Sequence, residues 1–233
     1  MELDKVLYYE KFYEGTKEPW NYSYRGAEIY RHKKIPQVLA QRFKKFSKVL
    51  DIGCSLGQLT QGLVGVSEEL YAMDVSRKAV SEARKNCAPS PIKFIVGSFP
   101  GLPFLPNSFD LVVAADALHE FVSRERRPCA IKEIFFLLKE GGICLFCDYL
   151  KPKDNRVFLD LIKNCGFKII ELVPLHDRLW YSFESWFKMV RHWGWARKIL
   201  SSLMITRLWT YPARFLGESG SRHVLIVAAK GNF

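Results

Sequence analysis

No run of eighteen apolar residues occurs in the 233-residue chain, so no segment reads as a membrane-spanning helix. The opening MELDKVLYYEKFYE is charged and aromatic where a secretory leader would be basic and then apolar, so no signal peptide is expected. The six cysteines, at 54, 87, 129, 144, 147 and 165, lack the spacing of a disulfide framework, which points to reduced thiols in a cytoplasmic protein. Cys144 and Cys147 do have C-x-x-C spacing. Residues three apart on a strand face opposite ways, however, so the pair is assigned to packing and no metal site is expected. What the chain has in quantity is apolar and aromatic side chains, 48% and 14% of residues, which excludes general disorder and suffices for one core of moderate size.

Charge is the most uneven property. Lys and Arg number 35 against 24 Asp and Glu, a net +11, but residues 49–173 carry 15 of each sign. The excess lies on the flanks: 11 basic against 6 acidic residues in 1–48, and 9 against 3 in 174–233. A neutral centre between basic flanks suits anionic partners: an acidic substrate, lipid headgroups or RNA.

Lys48 to Gln58, KVLDIGCSLGQ, is the stretch around which the rest is arranged. Val49, Leu50 and Ile52 form a β-prone run, and Gly53 and Gly57 bracket a tight turn before helical LTQGLVGV, so bare backbone and helix N–H groups are set to meet a ligand. Two readings of this turn fail. A dinucleotide fingerprint needs glycines where Ser55 and Gln58 stand. G-x-S-x-G matches a hydrolase nucleophile elbow at Ser55, but that fold needs several strands and an oxyanion loop before the elbow, and here about fifty mostly helical residues precede it.

From 49 to 173 strand and helix patterns alternate, which predicts an α/β fold with a parallel sheet covered on both faces. Strands are expected at 48–53, 69–74, 92–96, 109–115, 142–149, 167–173 and 223–231, with helices near 57–65, 77–87, 124–138 and 154–165. Gly141–Gly142 should end the helix before the fifth strand. Upstream, Leu3 to Tyr13 reads as a helix and Pro36 to Phe46 as another, with Pro36 in its first turn. Residues 174–222 break the rhythm and hold five of the six tryptophans. There Ser182 is placed as the cap of a helix bearing Phe183, Trp186, Phe187 and Val190 on one face. A second helix is expected over Ala196 to Leu208, with Gly194 as the break between them.

VLDIGCSLGQLT, LYAMDVS at 70–76, IKFIVGSFPGLPFLPNSFDLVVAADALHEF at 92–121 and LLKEGGICLFCDYL at 137–150 together resemble, in order and spacing, the motifs of class I S-adenosylmethionine-dependent methyltransferases. The EPWNYSY segment with its later basic helix is similar to the N-terminus of nodulation-type small-molecule N-methyltransferases. The resemblance implies a Rossmann-like seven-stranded sheet, mostly parallel with an antiparallel last strand slotted between the fifth and sixth. It also implies S-adenosylmethionine as cofactor and a core of 49–173 and 223–233, with N-terminal cap helices in 1–48 and a helical lid insertion at 174–222. By the same likeness Asp51 and Gly53 sit near the amino-acid end of the cofactor, Gly57 allows its close approach, Asp74 accepts the ribose hydroxyls, Ser98 and Phe99 meet the adenine, and Cys54 and Val75 belong to the same cofactor-binding set. Asp116 is counted with them. Ser55 and Ser98 depart from the family pattern, standing where a glycine and an acid are usual.

His119, at the exit of the fourth strand beside Asp116 and Glu120, is the candidate general base, since a neutral imidazole takes a proton near pH 7. The function expected is methyl transfer to the O or N of a small, acidic or lipid-like acceptor, with peripheral membrane contact as a further expectation. The alternative is a membrane-surface or RNA-associated protein whose basic aromatic flank is the main feature. No RNA-binding motif is recognisable, which disfavours nucleic acid as partner. Pro128–Cys129 resembles RNA cytosine-5 methyltransferases only as a dipeptide, and AADALHEF lacks the (D/N)PP(Y/F) of amino-directed nucleic-acid enzymes.

Overall fold

The structure is a computed structural model, and it describes residues 2–16, 18–119, 122–186 and 193–231. Seven strands make one sheet: β1 (Phe46–Ile52), β2 (Ser67–Asp74), β3 (Ile92–Val96), β4 (Phe109–Ala115), β5 (Leu138–Cys147), β6 (Phe167–Pro174) and β7 (Val224–Lys230). Their order is β3-β2-β1-β4-β5-β7-β6. The first five strands pair in parallel, and β7 runs antiparallel to both β5 and β6. The seven-stranded sheet with its antiparallel last strand is therefore as expected. The order reverses between β1 and β4, and a crevice opens at such a reversal beyond the carboxyl ends of the strands.

Successive strand residues feed opposite cores, which is why the central strands are apolar throughout rather than alternating. Leu50, Val112, Cys144 and Phe146 pack under α5 (Arg127–Leu137) and α6 (Pro152–Asn164). Val49, Leu111, Leu145 and Cys147 pack on the other face with Ile35, Val38 and Leu39 of α2 (Gly26–Arg42) and Leu59 and Leu63 of α3 (Gln58–Leu63). Cys144 and Cys147 thus belong to different cores, as the strand period required. Helix α1 (Glu2–Gly15) lies on α4 (Arg77–Asn86), where the Glu10 carboxylate accepts from Ser76 Oγ at 2.6 Å. Ser76 itself caps α4 by accepting from Ala79 N. An acid beside a helix N-terminus is favoured by the helix dipole.

Four local expectations are corrected. Pro36 lies inside α2 rather than in its first turn, because helix formation starts ten residues earlier at Gly26. Gly141 and Gly142 do not end α5, which stops at Leu137; they lie within β5, where the register against β4 shifts and Gly141 has φ +72°. Ser182 sits inside α7 (Arg178–Trp186), with its hydroxyl donating to Arg178 O, so it caps nothing. The helix expected over 196–208 is two helices, α8 (Gly194–Leu200) and α9 (Leu203–Ala213), with Gly194 opening α8 and Ser202 capping α9 by accepting from Ile205 N. Phe187 and Val190 lie outside the described residues.

Helices α7 and α9 pack on each other and on α2. Gly26 marks the crossing: a Cβ there would fall 2.2 Å from Thr206 Oγ1, 2.6 Å from Leu200 O and 2.9 Å from the Trp180 ring. One of those contacts is backbone, so the helices must separate to admit a methyl group. Gly26→Ala should cost on the order of 2 kcal/mol by chemical denaturation, as overpacking does. Unchanged stability in that variant would show that the α2–α9 contact is looser than described.

Candidate active site

The turn after β1 is held open by backbone shape. Gly53, Ser55 and Gly57 all have positive φ, at +79°, +49° and +89°. The Gly53 and Cys54 N–H groups donate to Met73 O at 2.8 and 2.9 Å, tying the turn to the end of β2. Asp74 closes β2 there and is 5% exposed. Its Oδ2 accepts from Ser55 N at 2.9 Å and its Oδ1 from Ser76 N at 3.0 Å, so each oxygen keeps capacity for another donor. Burial raises its pKa to about 6 against the pull of those N–H groups.

A cleft lies over this corner, and Gly53, Asp74, Val75, Ser98 and Phe99 line it. Val6 and Tyr9 of α1, within the N-terminal cap segment, also line it. The remaining residues of the turn lie elsewhere. Asp51 is buried, with Oδ2 accepting from Thr60 Oγ1 at 2.6 Å, and burial raises it to about 7. Cys54 is buried. At Gly57 a Cβ would fall 2.6 Å from Cys87 Sγ, so its missing side chain serves packing against α4. The Ser55 hydroxyl pairs with Tyr13 OH at 2.7 Å, and Trp20 Nε1 donates to that same phenol.

A second cavity, of about 500 Å³, shares Gly53 with the cleft. Its rings are Tyr13, Trp20, Tyr22, Tyr149 and Tyr181. Among the described residues of the 174–222 segment, only Tyr181 lines it. Trp180 is buried against Phe183, Phe183 also meets Trp209, and Trp193 and Trp195 are about half exposed. None of these four tryptophans is among the residues that line the cavity.

Under the cavity runs a chain of buried charges. Arg31, 2% exposed, donates to Glu28 Oε2 at 2.6 Å and to Asp116 Oδ2. Asp116 Oδ1 accepts from Tyr149 N at 2.9 Å and lies 3.4 Å from His223 Nε2, while His223 Nδ1 is 2.6 Å from Asp177 Oδ2. Tyr181 OH donates to Glu28 Oε1 at 2.7 Å. Burial alone would neutralise these groups; Arg31 and Arg25 overcome it at Glu28, which falls to about 2, and Arg31 and His223 hold Asp116 well below the carboxylate range. At His223 burial and Arg31 act downward, yet Asp116 and Asp177 raise it to about 9. Asp116 lines this cavity and not the cleft, with both carboxylate oxygens engaged.

On the same cavity wall, the His119 and Leu118 N–H groups donate to Asp148 Oδ1 at 3.0 and 3.1 Å. His119 Nδ1 and Asp148 Oδ2 have no hydrogen-bond partner among the described residues. Burial, then Arg127, lowers His119 to about 4, so its ring is neutral at pH 7; burial, then Asp116, raises Asp148 to about 7. Glu120 lies outside the described residues, and among those described no group of His, Cys, Asp or Glu could hold a metal.

Residues 49–142 match the family model of a methyltransferase domain. An uncharacterized methyltransferase of Bacillus mycoides is 30% identical over 167 residues, 66% of this chain and 77% of that protein. The chain is a class I S-adenosylmethionine-dependent methyltransferase. A sterol 24-C-methyltransferase of Neurospora crassa is 26% identical over 67% of this chain, and the match spans 53% of that protein. Among solved structures, the N-methyltransferase NodS of Bradyrhizobium japonicum in complex with S-adenosyl-L-homocysteine shares the fold, with a TM-score of 0.70 and 16% identity over 97% of this chain and 99% of that one. The nodulation-type likeness of the N-terminal residues therefore extends to the fold of the whole chain.

The enzyme's cofactor is S-adenosylmethionine, and the cleft suits it: apolar walls at Val75 and Phe99, a buried carboxylate with acceptor capacity left, and no side chain at Gly53 where cleft and cavity join. The charge chain below has its own pH signature. His223 is raised in the folded state, so its stabilisation is complete below about pH 6.5 and is lost as pH rises through about 9. Against His223→Gln, the wild-type methyltransferase should lose on the order of 3 kcal/mol across that window by denaturation at a series of pH values. Parallel curves would mean that His223 is neutral throughout.

Proposed function

We propose that this methyltransferase delivers a methyl group to an oxygen or nitrogen of a small acceptor held in the ring-walled cavity. The observation that carries this reading is the junction at Gly53, where the cleft bearing Asp74 meets the cavity bearing His119 and Asp148. In this reading Asp74 takes the two ribose hydroxyls, Val75 packs on the ribose, Ser98 and Phe99 face the adenine, and Gly53 lets the amino-acid end pass. Asp51, Cys54 and Gly57 shape the turn from behind, and Asp116 acts through the charge chain rather than by direct contact. Residues 1–48 and 174–222 close over the core as cap and lid. The basic flanks favour an acceptor that is acidic or lipid-like, with peripheral membrane contact of the protein as their second use.

S-adenosylmethionine supplies an electrophilic methyl, so the chain has mainly to align the acceptor and keep water out. His119 is neutral at pH 7 and takes the proton that the acceptor loses; Asp148 stands beside it as a second proton acceptor.

Asp74→Ala should weaken S-adenosylhomocysteine binding more than tenfold by calorimetry while the circular dichroism spectrum is kept, since two charge-assisted hydrogen bonds are lost. Unchanged affinity would remove Asp74 from the cofactor site. Label from S-adenosylmethionine, followed into a panel of small amines, alcohols and acids, should identify an acceptor. With that acceptor His119→Ala should lower kcat about 100-fold and leave cofactor affinity within about twofold. With cofactor and acceptor saturating, the part of kcat that depends on His119 should fall only as pH approaches about 4, where His119 protonates, whereas cofactor affinity should weaken already as pH falls through about 6, where Asp74 protonates. An unchanged kcat would assign the proton to another group.

A further inference from the structure

Helix α9 carries large apolar side chains on its outward side. Its buried residues are Thr206, Thr210 and Ala213, small or polar, and they face α2 and α7. Its outward side carries Met204, Leu208, Tyr211 and Phe215, exposed by 71, 64, 65 and 85%. Spaced by four, three and four, these side chains form one stripe along a helix, and Phe215 extends it past the last turn. A surface helix of a globular protein ordinarily turns its large apolar residues to the core, as Trp209 does here against Phe183, and faces solvent with polar ones. Four large apolar side chains placed outward in register exceed the scattered exposure that needs no explanation.

The charges around the stripe have one sign. Residues 185–217 contain no Asp or Glu and six Lys or Arg. Arg207 and Arg214, both exposed, flank the stripe on the helix, with the Arg214 guanidinium 5.7 Å from the Tyr211 ring centroid. Trp193, 57% exposed, precedes α8 on the same acid-free run. An apolar stripe edged by arginines, with a tyrosine within it, is the composition of a helix that lies in the headgroup layer of a bilayer: the apolar residues enter the acyl boundary while the guanidinium groups meet lipid phosphates.

We propose that α9 docks the enzyme flat on an anionic membrane surface through Met204, Leu208, Tyr211 and Phe215, with Arg207 and Arg214 on the headgroups. The occupant is lipid rather than a second copy of the chain, because arginines flanking the stripe on two such faces would oppose one another with no acidic residue between 185 and 217 to pair them. The proposal specifies the surface and the lipid class. It stands apart from the assignment of the methyl acceptor, since no stripe residue lines the cleft or the cavity.

The test is co-sedimentation of the full chain with vesicles of equal parts phosphatidylglycerol and phosphatidylcholine, and with phosphatidylcholine alone. The wild type should sediment with the anionic vesicles at least tenfold more strongly, and added salt should weaken binding. Leu208→Glu with Phe215→Glu should lose at least tenfold, and Arg207→Gln with Arg214→Gln about thirtyfold, at roughly 1 kcal/mol for each of the two charges near the surface. All the changed side chains are exposed, so melting temperature and S-adenosylhomocysteine affinity should stay at wild-type values in both variants, which separates lost docking from lost folding or a failed cofactor site. Equal sedimentation with both vesicle types, or binding kept by the Leu208→Glu, Phe215→Glu variant, would overturn the proposal. So would a dimer in light scattering that the same variant disperses, because the stripe would then belong to a second copy.

Discussion

Arg31 carries a full charge at 2% exposure, and most of what surrounds the cavity is arranged to make that tolerable. A buried guanidinium is stable only when its partners are in place, and removing one partner typically costs about 3–5 kcal/mol. Those partners come from parts of the chain far apart in sequence. Glu28 is a turn earlier on α2, Asp116 leaves β4, and His223 and Asp177 follow from the residues before β7 and after β6. Tyr181 of α7 adds its hydroxyl to Glu28. The pairing therefore joins the N-terminal segment, the sheet and the helices between β6 and β7 into one structure. The cavity wall is a by-product of that joining.

The turn after β1 shows a milder version of the same logic. Ser55 adopts a backbone conformation that glycine reaches without cost, and two fixed contacts accompany it: its N–H on Asp74 and its hydroxyl on Tyr13. The hydroxyl that could have been read as a nucleophile is spent on anchoring α1. Asp74 in turn receives one backbone N–H per oxygen, which orients the carboxylate without exhausting it.

The sheet was legible because its signal is local. Leu111, Val112, Val113 and Ala114 form an apolar run that only a strand buried on both faces explains, and the glycine turn after β1 announced the crevice. The charge chain was not legible. Glu28, Arg31, Asp177 and His223 have ordinary polar neighbours, and nothing in a sequence distinguishes an arginine that faces water from one enclosed by carboxylates. Direction was the second gap. Tryptophan content marked 174–222 as unusual but said nothing of where each ring points, and Tyr181 reached the cavity while Trp180 and Trp209 went into packing. Boundaries failed where a punctuating residue was taken at face value: Pro36 is absorbed within α2, and Gly141–Gly142 shape a register shift inside β5.

Helix α1 contributes Val6 and Tyr9 to the cleft and Tyr13 to the cavity, and it is fastened at two points, Glu10 to Ser76 and Tyr13 to Ser55. One rigid element is thus a party wall between two rooms. A displacement of α1 large enough to break both fastenings would therefore strip a wall from both spaces at once.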